Sequence, residues 1–347
     1  MENSPSRVLI IDTAWLGDVL FTTSLIGAVR EAWPQTEIHL VTAPRAQELV
    51  LNHPELTSFR LFDKQGNEGG FLSLKKLAYD LNQTNFDIVL CAHPSMRSRL
   101  LCSMLNAPIR VGHPGLLSSL AFTATVHNDL AVEPDHVQRR LNLLRAIRPV
   151  SNTPQLKIGL ANDERLWAQS KLAQIGATSD AILALIPGSA RKTKQWDPVR
   201  FNELGIRWLR QNERGRILVF LGPQENALRP EFETAAETRI IVIEESLRKC
   251  AALLNRCTVA VGNDTGVSFL AIAAGCPKVI VLYGSTQVNY TFPAPHQAIH
   301  AGVPCCLPRT GHGERKCKWT DGPPWCMKEI TVDHVIRHGL LQLESEF

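Results

Sequence analysis

Three loops in this chain of 347 residues hold the side chains best suited to chemistry. The first, Asp12-Thr13-Ala14-Trp15-Leu16-Gly17-Asp18, follows the apolar run Val8-Leu9-Ile10-Ile11. It precedes Phe21, Leu25, Ala28, Val29 and Ala32, which recur at helical spacing until Pro34. Asp18 therefore stands at a helix N-terminus, just past the carboxyl end of a strand. Open α/β sheets bind ligands outside the carboxyl ends of their strands, and the positive pole of a helix keeps such a carboxylate ionised. Asp18 can then accept a proton at neutral pH. A plain helix cap is the alternative reading of the same residue, and Asp12 is a weaker rival as the base.

The second loop runs Pro187-Gly188-Ser189-Ala190-Arg191-Lys192-Thr193-Lys194-Gln195-Trp196-Asp197-Pro198 after the strand-like Ile182 to Ile186. Its small residues let the backbone approach a ligand, and three cations in four positions suit phosphate oxygens. A solvated basic turn before a helix starting at Asp197-Pro198 is the plainer alternative. The third, Asn263-Asp264-Thr265-Gly266, lies between a strand over Val259 to Gly262 and a helix over Val267 to Ala274 that Gly275 and Pro277 close. Asp264 or Thr265 can cap that helix, whose free N–H groups form a site for a pyrophosphate.

The elements that must position these loops alternate. Short Val/Ile/Leu runs bounded by turn residues alternate with longer helical patterns, the signature of parallel sheets covered by helices on both faces. The first half predicts strands at Val8 to Ile11, Glu37 to Val41, Phe59 to Phe62 and Phe86 to Cys91. The second half predicts Ile182 to Ile186, Arg216 to Leu221, Arg239 to Ile243, Val259 to Gly262 and Lys278 to Tyr283. The length suits two α/β domains better than one, with a cleft between them. Arg148-Pro149-Val150-Ser151-Asn152-Thr153-Pro154 combines two prolines with turn formers and reads as the start of a hinge. The expected division is 1–160 and 161–347, with the last helix packing back on the first domain.

Composition excludes several classes. The chain is 44% hydrophobic and 20% charged, with no biased tract, as in a folded protein. No run approaches the roughly 18 to 20 apolar residues that span a bilayer, so a cytoplasmic protein is expected. A net charge of +4 is too weak to imply nucleic acid but suits an anionic substrate or peripheral contact with a membrane surface. The first loop has a single glycine, Gly17, rather than a dinucleotide fingerprint, and neither a Walker-type phosphate loop nor a serine nucleophile elbow occurs.

Of nine cysteines, Cys91, Cys102, Cys250, Cys257 and Cys276 lie in or beside apolar stretches and read as small hydrophobes. Cys305, Cys306, Cys317 and Cys326, with His312 among them, crowd into one loop. Their spacing lacks a C-x-x-C pair, so free thiols are expected rather than structural zinc.

Trp15-Leu16-Gly17-Asp18, Pro187-Gly188-Ser189 with Lys194-Gln195-Trp196, and Asn263-Asp264-Thr265-Gly266 followed by a helix and Tyr283-Gly284 resemble, in order and spacing, glycosyltransferase family 9. Within it the likeness is greatest to the lipopolysaccharide heptosyltransferase II branch. The resemblance implies two Rossmann-like doubly wound domains facing a cleft (GT-B type), the second binding a nucleotide sugar, ADP-heptose, and the first an anionic lipopolysaccharide core acceptor at the cytoplasmic face of the inner membrane. Asp18 stands where the family has its base, and Lys194 matches a lysine on the donor phosphates. Asp264, Thr265 and Gly266 match the pyrophosphate and sugar loop, with Gly188 and Ser189 on the donor side. Glu225, in Gly222-Pro223-Gln224-Glu225, lies near an acidic residue that faces the nucleoside. Arg97 and Arg99, in His93-Pro94-Ser95-Met96-Arg97-Ser98-Arg99, resemble an arginine stretch suited to acceptor carboxylates and phosphates, with two surface arginines as the alternative.

One departure stands out: where the family has a histidine soon after the Asp-Ser/Thr-Gly triplet, this chain reads Ser268-Phe269-Leu270-Ala271. No Asp-x-Asp site is present, so no metal or cofactor is expected in catalysis. A relative using another nucleotide sugar, a nucleotide-sugar epimerase, and a nucleotide-binding protein without catalysis are the alternatives.

Overall fold

A computed structural model describes residues 4–340 apart from 65, 67–69, 128, 130–131, 178–180, 234–236 and 303–323. The chain divides into two compact units, Met1–Gly159 and Leu160–Phe347. The first holds six parallel strands: β1 (Arg7–Asp12), β2 (Glu37–Thr42), β3 (Ser58–Leu61), β4 (Ile88–Cys91), β5 (Ile109–Gly112) and β6 (Ala124–Thr125). They lie in the order β3-β2-β1-β4-β5-β6. The second holds β7 (Ile182–Ile186), β8 (Arg216–Phe220), β9 (Ile240–Ile243), β10 (Val259–Asn263), β11 (Lys278–Tyr283) and β12 (Gln297–His300), in the order β12-β11-β10-β7-β8-β9. Read from its other edge, that sheet repeats the arrangement of the first. The strand order reverses between β1 and β4 and again between β7 and β10, and such switch points are where doubly wound sheets hold ligands.

β4, β7, β10 and β11 are buried at every position, as parallel strands covered on both faces must be. Leu9, Ile11, Val89, Leu77, Leu101 and Phe122 build a core on the first sheet, and Leu185, Trp196, Phe201, Trp208, Val261 and Leu282 one on the second.

Three strands, β5, β6 and β12, were not expected from the sequence. Ile109-Arg110-Val111-Gly112 is short and interrupted by a charge, Ala124-Thr125 is a two-residue edge, and Gln297-Ala298-Ile299-His300 is a polar edge strand. They are held by backbone ladders rather than by apolar patterning: β5 lies between β4 and β6, and the edge strands β6 and β12 pair with β5 and β11.

The segment after the expected hinge belongs to the first unit. Pro154 O accepts from Ser24 Oγ, and Lys157 N donates to Thr23 Oγ1 at 3.0 Å, which fastens this stretch to the helix Leu16–Ala32. The terminal helical turns bury Val332, Val335 and Leu340 in the core of the second unit, where those apolar positions complete the cluster around Ile280 and Met327.

Candidate active site

In the first unit Asp18 is the third residue of the helix Leu16–Ala32, whose N-cap position is Trp15 and carries no side-chain cap. The capping alternative therefore fails. Asp18 keeps 28% of its side chain accessible, and its Oδ1 lies 3.3 Å from Arg140 Nη2. Arg140 is buried and directed from several sides: Nε donates to Thr22 Oγ1 at 2.8 Å, Nη1 donates to His136 O at 3.0 Å, and Nη2 lies 3.6 Å from Asp12 Oδ2. Asp12 has no accessible surface and accepts from Thr22 Oγ1 at 2.5 Å and Ala14 N at 3.0 Å. A carboxylate so enclosed cannot meet a substrate hydroxyl, so Asp12 is the anchor that holds Thr22 and Arg140, and of the two carboxylates Asp18 is the one a substrate could reach.

Cations surround this edge. Lys64 Nζ donates to Thr13 Oγ1 at 3.3 Å and lies 3.4 Å from His93 Nδ1, which is itself 3.0 Å from Thr13 Oγ1. Burial pushes the Lys64 ammonium below its ordinary range, and Arg45 adds to this. Burial likewise lowers His93, against an opposing pull from Asp12. His113, at the end of β5, is driven down to about 4 by burial and is a neutral ring. Arg97 donates to the Lys64 carbonyl, whereas Arg99 Nη2 turns to Pro114 O at 3.1 Å. Arg97 thus joins the Lys64 group, and Arg99 packs on the neighbouring loop. Trp15 is 65% exposed beneath the Arg45 guanidinium, 4.0 Å from the ring centroid.

In the second unit the predicted residues come from the carboxyl ends of adjacent strands. Lys194 Nζ donates to Asp264 Oδ2 at 2.6 Å, and Thr286 Oγ1 donates to the same oxygen at 2.7 Å. Asp264 therefore fixes the lysine, and among the described residues it caps no helix. Thr265 occupies the N-cap position of the helix Gly266–Ala274 without a side-chain cap, and its buried Oγ1 has no hydrogen-bond partner among the described residues. The Thr265 side chain thus caps none of the first N–H groups of that helix. Glu225 Oε2 accepts from Gly222 N at 2.7 Å, and its carboxyl group lies against Gly188, where a Cβ would stand 1.8 Å from Oε1. Any side chain at this position would displace the Glu225 carboxyl group. Ser189 Oγ turns inward to Arg191, donating to its carbonyl at 3.1 Å.

The loop bearing Lys194 is held by Asn263. Its Nδ2 donates to Pro187 O at 2.8 Å and its Oδ1 accepts from Trp196 N at 2.9 Å, all within the interior. Trp196 is fully buried and donates from Nε1 to Ile330 O at 2.7 Å. Asn263→Ala orphans both backbone groups, at about 1–3 kcal/mol for each. A matching fall in urea-unfolding stability is expected, and an unchanged midpoint would remove Asn263 from this role. Phe269, in the stretch where the resemblance implies a histidine, is buried against Tyr290 and Phe292 at centroid distances of 5.7 and 6.2 Å.

Arg140, Lys64, Asn263 and Thr286 were not singled out as site residues by sequence reasoning. Arg140 had a signal: at helical spacing it shares a face with Val137, Leu141 and Leu144, and a charge inside an apolar stripe requires a buried partner. Cys305, Cys306, Cys317 and His312 lie outside the described residues, and Cys326 is buried in the second core.

Two doubly wound units in tandem, each with charged loops at its switch point, define the GT-B class of glycosyltransferase fold. The glycosyltransferase family 9 (heptosyltransferase) model matches residues 74–317, and the chain belongs to that family. It is similar to lipopolysaccharide heptosyltransferase 2 of Salmonella typhimurium, 22% identical with 98% of this chain and 99% of the relative covered. Among solved structures it is similar to a family 9 glycosyl transferase from Veillonella parvula, with a TM-score of 0.82, 25% identity and 99% of each chain covered. ADP-heptose lps heptosyltransferase II of E. coli shares the fold, with a TM-score of 0.74, 20% identity, and 98% of this chain and 100% of that one covered.

Proposed function

We propose that the chain is an inverting heptosyltransferase that moves heptose from ADP-heptose to the anionic inner core of lipopolysaccharide. It would work in the cytoplasm, in peripheral contact with the inner membrane. The observation that carries this is the division of labour between two switch points in one family 9 chain. The first presents an accessible carboxylate among cations; the second presents a lysine–aspartate pair beside an uncapped helix N-terminus. Relatives named for lipopolysaccharide and ADP-heptose support the substrate class.

In this reading Asp18 takes the proton from an acceptor hydroxyl, whose oxygen attacks the anomeric carbon while the bond to the diphosphate breaks. A single displacement inverts that centre. Lys194, with the N–H groups beginning the helix at Gly266 and the Thr265 hydroxyl, stabilises the leaving diphosphate. Asp264 and Thr286 keep the ammonium in place, Glu225 beside Gly188 faces the nucleoside, and Ser189 shapes the loop on the donor side. Lys64, Arg97 and Arg99 supply the positive charge for acceptor carboxylates and phosphates. No metal is required on the leaving group, because lysine and helix dipole fill that role.

A thermal-shift panel of ADP-, UDP- and GDP-sugars tests the donor. A ligand at 100 times its Kd stabilises by about 2.7 kcal/mol, so ADP-heptose is expected to raise Tm by several degrees. A shift given by a uridine sugar alone would overturn the heptose reading.

A further inference from the structure

We propose that the loop following β5 docks on an anionic lipid surface, inserting Leu116, Leu117 and Leu120. These leucines are 70%, 37% and 65% exposed, in a segment otherwise bounded by the buried His113 and Ala121. The chain holds them outward at a conformational cost. Leu117 has φ +64°, a left-handed conformation that leucine rarely adopts, and it leads into the short helix Ser118–Ala121 that carries the exposed Leu120. A loop that spends strain to expose leucine is positioned to bury it against something.

The charge around it selects the partner. From Ile88 to Asn128 the sequence contains no Asp or Glu, yet it carries Arg97, Arg99 and Arg110. The helix Met96–Ser103 sets Met96, 42% exposed, and Arg99 one turn apart, and the Arg99 guanidinium lies on the backbone of the leucine loop, at Pro114 O and Gly115. Arg97, Arg99 and Arg110 donate to backbone carbonyls, and none of the three enters an ion pair among the described residues. Protruding leucines beside unneutralised arginines fit a bilayer interface with anionic headgroups, where the apolar groups enter the acyl boundary and the guanidinium groups meet phosphate. A second copy of this chain fits poorly, because a twofold pairing of the patch would set arginines against arginines. The loop leaves the carboxyl end of β5, on the edge of the sheet that also carries Asp18 and His93. A lipid-anchored acceptor at that surface would thus arrive at the proposed base. Only this last link rests on the proposed function.

The test is flotation of the full chain with vesicles of equal parts phosphatidylethanolamine and phosphatidylglycerol, against vesicles of phosphatidylcholine alone, without any acceptor. Wild-type protein is expected to float with the anionic vesicles and to be released by salt. The double variant Leu116→Ser, Leu120→Ser changes only exposed side chains and is expected to bind at least about tenfold more weakly, since each leucine withdraws its apolar area from water on insertion. With a water-soluble acceptor its transfer rate should equal wild type, and with the acceptor embedded in vesicles it should fall. Flotation also reads out if no transfer is found, so failure of the function and failure of the docking surface remain distinguishable. Absence of wild-type flotation, equal flotation of the variant, equal binding to phosphatidylcholine, or a dimer that the leucine variant dissociates would each overturn the proposal.

Discussion

Replacing Asp18 by Asn is expected to lower kcat by about 10²- to 10⁴-fold, the range for loss of a general base, while Tm and donor affinity stay close to wild type. The side chain keeps its size, and the amide oxygen still accepts from Arg140, which retains Asp12 on its other side. What disappears is the basic oxygen and the favourable interaction with the helix N-terminus, the latter about 0.3–1 kcal/mol. Because Trp15 occupies the cap position, even Asp18→Ala removes no cap. Stability therefore does not mask the kinetic effect. Turnover by Asp18→Asn near the wild-type rate would overturn the base assignment and return attention to the cations around it.

Lys194→Ala is expected to cost on the order of 3 kcal/mol in the transition state, or about 10²- to 10³-fold in kcat/KM, as for loss of one preorganised donor to a developing anion. Asp264 would then lie in the interior with Thr286 as its one remaining donor among the described residues, so a moderate loss of stability should accompany the kinetic loss. The kinetic split identifies the role. A fall in kcat larger than the rise in KM places the ammonium on the departing diphosphate, whereas a rise in KM alone makes it a ground-state contact. Unchanged kcat/KM would remove Lys194 from the leaving-group site.

Much of this was readable in the chain before its structure, for definite reasons. Ile182–Ile186 and Lys278–Tyr283 match their expected limits because central parallel strands are uninterrupted apolar runs. The loops at Asp18, Lys194 and Asp264 were found because each lies next in sequence to such a run. The short outer strands were not, since Ile109–Gly112 and Gln297–His300 depend on a neighbour for their conformation. Roles were harder than places. From local pattern alone Asp18 reads as a cap or a base and Asp264 as a cap or a ligand contact; in the structure Trp15 takes the cap position of the first helix, and Lys194 and Thr286 hold the Asp264 carboxylate. Arg140 meets Asp18 across 122 residues of sequence, a distance that no local pattern spans.

The strand order has a consequence for how the chain reaches this state. The pairings at each switch point, Val8 with Ile88 and Leu183 with Val259, join segments about 80 residues apart, and such long loops must close before those contacts reward them. On the ribosome β1 therefore waits, an apolar edge without its inner neighbour, until β4 has emerged, and β7 waits in the same way for β10. Folding should be slow in two successive stages, one for each sheet. During those intervals the nascent chain is most exposed to aggregation and most dependent on chaperones.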